Sequence, residues 1–297
     1  MRRGAPESPP LGDDEYRLIR NTLYAQTGLT FRDDQRAYVE RRLLTRVRAL
    51  GLTGFRAYHL RLLTDTAREN EFQEAVEALT NHETYFFREI TQLRALIDDV
   101  LPRLPKAGMR QGPVRILSAG CSTGEEPFSL AILFLEARRS AGRTLVPLCE
   151  IVATDLSRRV IERARRGVYG DSAFRSLPIA LKDRYFRPVE GGTTVTAELR
   201  AQVRFAHANI LDRARMEALG SFDVVLCRNV LIYFDRDAKI RAVSDFFDIL
   251  RPGGFLMLGH AESLLSVSTE FRVAQLASGL AYQKPLPTGE AGGGSRL

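Results

Sequence analysis

Cysteine is scarce and unpatterned in this sequence of 297 residues. Cys121, Cys149 and Cys227 are odd in number, far apart and without metal-ligand spacing, which argues against a disulfide framework and a zinc site. They read as reduced, small apolar residues beside or within strands. No run of roughly 18 apolar residues and no charged-then-apolar leader is found, so neither a membrane span nor a secretory signal is indicated, and a cytoplasmic protein is expected. Long basic blocks and interleaved aromatic and basic residues are also lacking, although the formal net charge is +7. The positive balance favours an acidic partner. Scattered arginines make nucleic acid a weaker choice than an acidic protein surface or membrane. No Ser-His-Asp or Cys-His arrangement is evident, which disfavours a covalent hydrolytic mechanism.

A hydrophobic content of 44% over this length can fill two domains. Residues 1–12 and 285–297 are rich in Pro, Gly and Ser and are expected to be disordered. Between Asp13 and about Thr80 the pattern is helical throughout. Tyr16, Ile19 and Leu23 share one face of a first helix. A second is predicted from Asp33, with Val39, Leu43, Val47 and Leu50 inward and Gly51 as its stop. Arg41, Arg42 and Arg48 point away from that face, either as a solvated surface or as a docking face for an acidic helix. Helical stretches around Phe55–Thr64 and Arg68–Leu79 complete a small all-α unit. His59 reads as a surface histidine, and Phe86 and Phe87 as packing residues.

From Val114 strands alternate with helices, which predicts a doubly wound α/β sheet. The strands are VRILSAG, LCEIVATD, QVRFAHA, FDVVLCRN and GFLMLGH, with a final pair near Phe271–Lys284. Helices are expected over Pro127–Arg139, Arg158–Arg165 and Asp237–Leu250. Gly191-Gly192, flanked by extended residues, predicts a hairpin inserted at about 185–200.

The chemistry is expected at the carboxyl ends of the strands, where open α/β sheets bind their ligands. The first strand runs through Gly120 into Cys-Ser-Thr-Gly-Glu-Glu and opens a helix. This loop is neither G-x-G-x-x-G nor a P-loop, and its paired carboxylates would repel phosphate. They suit an ammonium or sulfonium, and S-adenosylmethionine carries both, although the glycine spacing alone fits a structural turn equally well. Asp155, ending the second strand, is placed to accept hydrogen bonds from a ribose diol. The amide of Asn209, after the third strand, could read an adenine edge. Singly, Asp155 or Asn209 fits a helix cap equally well; their joint placement favours a nucleoside site. No metal site is expected. His260, after the fifth strand, is expected to make a structural hydrogen bond.

The stretches Asn81-His82-Glu83-Thr84-Tyr85-Phe86-Phe87-Arg88-Glu89, SAGCSTGEEPFSLA, CRNVLIYFD and LRPGGFLMLGHAES resemble the signature motifs of the CheR-type chemotaxis receptor methyltransferases. The resemblance covers roughly residues 13–284. It implies a small N-terminal all-α docking domain over 13–80 and a linker over 81–112 that contributes to the cofactor site. A Rossmann-like class I SAM-dependent methyltransferase sheet with an inserted small β-subdomain would then span 113–284. The implied cofactor is S-adenosyl-L-methionine, the product S-adenosyl-L-homocysteine, and the implied reaction methyl esterification of receptor glutamates. Family cofactor contacts fall on Thr84, Arg88, Glu126, Asp155, Asn209, Ile210, Cys227 and Arg228, with Gly120 in the loop. The residue two before Thr84, commonly Asn in the family, is His82 here; its backbone or imidazole could substitute. Arg88 and Tyr233 match residues near the transferred methyl group. The implied partner is the cytoplasmic helical domain of chemotaxis-type receptors, with membrane association through the receptor only and a monomer as the expected state. The loop Arg187–Ala197 is short beside that of members gripping a receptor C-terminal peptide, so tight tethering is not expected. Two rivals stand: a same-fold enzyme acting on another substrate, and a non-catalytic adenosylmethionine sensor.

Overall fold

The computed structural model describes residues 10–64, 68–105, 112–141 and 146–287. Most of both terminal stretches expected to be disordered lies outside them, but Leu11 is buried and anchors the chain ahead of the first helix. Helix α1 (Asp13–Thr27) carries Asp13, Asp14 and Glu15 in its first turn, where carboxylates favour the helix dipole, and ends at Gly28 with φ +75°. Helix α2 (Arg36–Ala49) is entered through a 3-10 turn, Asp33–Gln35, so the predicted helix tightens at its start. Val39, Leu43 and Val47 are buried, while Arg41, Arg42 and Arg48 are exposed. Helices α3 (Phe55–Thr64) and α4 (Arg68–Leu79) close the bundle. Glu71 is buried but paired: Arg46 donates two hydrogen bonds to it, at 3.1 and 2.7 Å, and the Tyr58 hydroxyl a third at 2.8 Å. His59 is not a surface residue. It shares the buried stripe Phe55, Tyr58, Leu62 of α3, 7% exposed, with its ring 3.1 Å from the Thr22 hydroxyl.

Helix α5 (Ile90–Ala95) continues through a π turn and a 3-10 turn to Arg103 and leads toward the sheet. Strand β1 (Val114–Ala119), helix α6 (Glu125–Ala141), β2 (Cys149–Asp155) and α7 (Arg158–Arg166) follow. A small antiparallel sheet is then built from β3 (Val168–Tyr169), β4 (Phe186–Val189) and β5 (Gly192–Val195), with α8 (Ile179–Tyr185) and α9 (Ala197–Arg200) beside it. The expected hairpin is β4–β5; the third strand comes from upstream and is too short to show an alternation. The chain returns through β6 (Val203–His207), α10 (Arg213–Ala218), β7 (Phe222–Cys227), α11 (Arg236–Ile249), β8 (Leu250–Leu258), β9 (Arg272–Leu276) and β10 (Gly279–Gln283).

The main sheet has the order β6-β2-β1-β7-β8-β10-β9. Its first five members are parallel and β10 runs antiparallel to both neighbours. All three cysteines are free, as expected: Cys149 and Cys227 lie in strands, and Cys121 lies just beyond β1. Among the described residues no helix is long and apolar enough to cross a membrane.

The all-α domain does not stand apart. Its core residues, among them Ile19, Leu43 and Val76, join one continuous cluster with Val225, Phe246 and Leu256 of the sheet layer. The loop after α1 forms a β-bridge, Leu29 to Phe234, and the Thr30 N–H donates to the Tyr233 carbonyl at 2.9 Å. Gly28 makes this approach possible, because a Cβ there would lie 2.2 Å from Leu211 Cδ1. Gly28→Ala should therefore destabilise the fold by about 1–3 kcal/mol, from left-handed backbone and lost fit together. Equilibrium urea unfolding measures this, and an unchanged midpoint would show that the joint is loose.

Candidate functional site

The strand order reverses between β1 and β7, one leading outward to β2 and the other to β8, which opens a crevice at their carboxyl ends. Two adjoining hollows, of about 770 and 610 Å³, occupy it and share Asn81, Gly120, Ser122, Asn229 and Tyr233. The first is also lined by Thr84, Arg88, Glu126 and Arg228. The second is also lined by His82, Asp155, Asn209 and Ile210. Nine of the ten sequence candidates for cofactor contact thus meet in one cleft. The tenth, Cys227, is fully buried in the core and lines neither hollow.

In the second hollow the Asp155 carboxylate is 9% exposed and accepts the N–H of Ser122 and of Ser157, both at 2.9 Å. Burial pushes its carboxyl above the ordinary range, with those hydrogen bonds and His82 opposing. The His82 ring lies 2.8 Å from the Thr80 hydroxyl and 3.3 Å from Glu77 Oε2, and Ser157 donates to the same carboxylate at 2.5 Å. Burial alone would raise Glu77, but the bonds from His82 and Ser157 outweigh it and hold it at about 2. The His82 carbonyl accepts the Ser122 hydroxyl, so backbone and ring both brace the cleft. The Asn209 amide is less free than the sequence suggests. It donates to the Gln26 carbonyl at 2.8 Å and accepts the Leu211 N–H at 3.0 Å, and its place on the wall follows from that fixed orientation. Thr27 and Leu29, from the all-α domain, complete the wall. Nothing local in the sequence marks them, because their role depends on docking between domains.

In the first hollow the Arg228 guanidinium is 2% exposed. It donates to Gln92 Oε1 at 2.5 Å, Glu126 at 2.8 Å, Glu89 at 2.7 Å and the Arg88 carbonyl at 3.1 Å. A buried charge of this kind is tolerable only when its donors are satisfied in this way. Glu126 also accepts the Ser118 hydroxyl at 2.7 Å. Phe87 and Glu89 adopt left-handed backbone, φ +63° and +53°, on either side of Arg88. Phe86 and Phe87 are buried as expected, Phe86 stacking on Phe174 and meeting Tyr169 and Phe186 edge-on. The Arg88 side chain donates to the Glu83 carbonyl at 2.6 Å and remains at the cleft. His260 is exposed, and its ring lies 3.8 Å from Glu89 Oε2, too far for the expected structural hydrogen bond.

Tyr233 lines both hollows. Burial raises its phenol above the ordinary value, which keeps the hydroxyl a neutral donor at physiological pH. The loop before it is held by Glu262, which sequence reasoning did not single out. Its carboxylate accepts the N–H groups of Asn229, Val230, Ile232 and Gly259 at 2.8, 3.0, 3.2 and 2.8 Å. Asn229 is left-handed at φ +59°, and the cap offsets that strain. Gly120 faces this loop: a Cβ there would lie 2.3 Å from Val230 Cγ2.

Residues 14–80 match the family model described as the all-alpha domain of CheR methyltransferases, and residues 82–280 match the SAM binding domain of the same family. The chain is 36% identical over 275 residues to chemotaxis protein methyltransferase 2 of Vibrio cholerae, covering 92% of this chain and 93% of that protein. It is also 36% identical over 266 residues to the chemotaxis protein methyltransferase of Salmonella typhimurium, with 88% of each chain covered. A solved N-methyltransferase, NodS of Bradyrhizobium japonicum with S-adenosylhomocysteine, aligns at 16% identity and a TM-score of 0.39, over 76% of this chain and 91% of that one.

Two outcomes follow from the geometry. Glu262→Gln turns a donor toward N–H groups that need an acceptor, and should cost about 1–2 kcal/mol in thermal unfolding; a neutral result would mean that the loop holds itself. Glu77 is depressed from 4.5 to about 2, so its contribution to stability is present above pH 4.5 and lost as pH falls toward 2. The stability gap between the wild type and Glu77→Gln should narrow across that window in acid titrations of urea unfolding. A gap independent of pH would remove the charge from the explanation.

Proposed function

Since this chain belongs to the CheR methyltransferase family, we propose that it esterifies glutamate side chains of chemotaxis-type receptors, leaving S-adenosylhomocysteine as the second product. At the coarser level it is a SAM-dependent methyltransferase whose cofactor is S-adenosylmethionine. The residues present fit that cofactor. The buried Asp155 carboxylate offers acceptors for ribose hydroxyls, and Leu29, Ile210 and Phe234 offer an apolar surface to a flat base. Glu126 brings negative charge to the ammonium end, and Arg88 and Arg228 lie beside it.

When bound, the cofactor supplies an electrophilic methyl group on a sulfonium. A glutamate carboxylate, with an ordinary pKa of about 4.3, is already ionised at neutral pH and needs no general base. The work left to the protein is alignment. Tyr233 donates from its neutral hydroxyl to the acceptor carboxylate, and Arg88, in the same hollow, holds the acceptor or cofactor in register. Arg88 must not grip the carboxylate more tightly in the ground state than in the transition state, or transfer slows. Its tie to the Glu83 carbonyl tempers that grip. The observation that carries this reading is the meeting of Tyr233 and Arg88 in the hollow that also holds Gly120 and Glu126.

The all-α domain supplies the docking face. Arg41, Arg42 and Arg48 are exposed on α2, and Arg42 lies over the Tyr38 ring, 5.4 Å from its centroid. Tyr38 and Tyr233 both pack against the cluster shared by the two domains, which links α2 to the wall of the cleft.

The test is transfer of labelled methyl from S-adenosylmethionine to receptor cytoplasmic fragments of the same organism. Base-labile label that disappears on Glu→Ala substitution in the fragment is expected. Tyr233→Phe should lower kcat/KM for the fragment about tenfold to a hundredfold, the worth of one hydrogen bond to a charged group. Absence of label despite cofactor binding would favour a sensor or another acceptor, and a wild-type rate in Tyr233→Phe would remove its hydroxyl from the mechanism.

A further inference from the structure

Helix α7 has a composition that neither the fold nor the cleft requires. It carries five arginines against one glutamate, Glu162. Val160, Ile161 and Ala164 bury one side, and the remaining residues are exposed. Arg159, Arg163 and Arg166 follow at helical spacing and form a stripe spanning about 10 Å. Among the described residues no carboxylate lies within ion-pair distance of Arg163 or Arg166; the pair that Arg159 makes, with Glu74 at 3.2 Å, lies at the end of the stripe nearest α2.

That single pair sets the geometry. The other oxygen of Glu74 pairs with Arg46 of α2, also at 3.2 Å, so one carboxylate joins the two helices across the domain boundary. Ser157 and the Arg158 N–H, at the start of α7, bond Glu77 and Gln73 of α4, which fixes the angle of the joint. Arg41, Arg42 and Arg159 consequently line one surface hollow. At its far end, Arg163 and Arg166 line another hollow together with Thr84, itself on the wall of the cofactor cleft.

We propose that this α7 stripe continues the basic face of α2 across the domain boundary, and that the two together cradle one acidic helical segment of the receptor. The inference rests on the receptor reading above. The partner chemistry follows from the charge: like charges held unpaired on adjacent turns repel one another, and a facing row of carboxylates relieves this. Carboxylates three and four residues apart on a helix form such a row. The segment would run from α2 over Arg159 to Arg166, so the sheet domain would contact the receptor directly.

The experiment measures kcat and KM for a receptor cytoplasmic fragment, with cofactor Kd and thermal unfolding in parallel, on the full chain. Arg163→Glu/Arg166→Glu should raise KM for the fragment about tenfold, leave cofactor Kd and kcat near wild type, and flatten the dependence of kcat/KM on salt. Arg163→Gln/Arg166→Gln should give a smaller rise in the same direction, and serves as the reading if the reversal does not fold. An unchanged KM and salt dependence in a folded variant would overturn the cradle while leaving receptor methylation intact. Failure of the wild type to methylate any fragment would overturn both.

Discussion

A guanidinium removed from water costs several kcal/mol unless every direction it points in is answered, and much of this molecule is arranged around one such group. Arg228 gathers the end of β7, the start of α6 through Glu126, the strained linker through the Arg88 carbonyl and Glu89, and α5 through Gln92. Gln92 extends the network by donating to the Leu258 carbonyl at the end of β8. Three stretches distant in sequence, the end of β7, the start of α6 and the linker running into α5, are thereby registered against one planar fork. Arg88 stands at the cleft because its own carbonyl belongs to that network.

Backbone strain collects in the same place. Phe87, Glu89, Ser122 and Asn229 all hold left-handed backbone without being glycine, and all belong to segments that form the cleft. Each such residue costs on the order of 1–3 kcal/mol. The opposing terms are equally local: the aromatic packing of Phe86, the Asp155 carboxylate on the Ser122 N–H, and the Glu262 cap beside Asn229. Each strained segment of the cleft is thus held by contacts beyond its own backbone.

The alternation of strands and helices from Val114 was legible in the sequence because buried parallel strands read as continuous apolar runs ending in small or polar residues. The helices of the all-α domain were legible from their period. Where sequence reasoning fell short, a contact at long range decided. The Asn209 amide is engaged by a carbonyl 183 residues away, and nothing near Asn209 announces it. Glu262 looks like any acid in a short loop until four N–H groups converge on it. His59 is the instructive exception, since its burial could have been read locally: Phe55, Tyr58, His59 and Leu62 form an apolar stripe at helical spacing. The strand Val168–Tyr169 was invisible because two residues carry no period.

The contact between the loop after α1 and the loop after β7 bears on how this architecture can be altered. Thr27 and Leu29 line one hollow with Asp155 and Ile210, and Thr30 is paired with the backbone of Tyr233. The helical domain is therefore a structural wall of the chamber at the strand ends. A chimera that exchanges it between relatives to change recognition imports a foreign wall as well, unless residues 26–31 are exchanged together with 209–211 and 233–235. Modularity here runs along a seam of contacts, and a cut between the domains in sequence passes through the chamber.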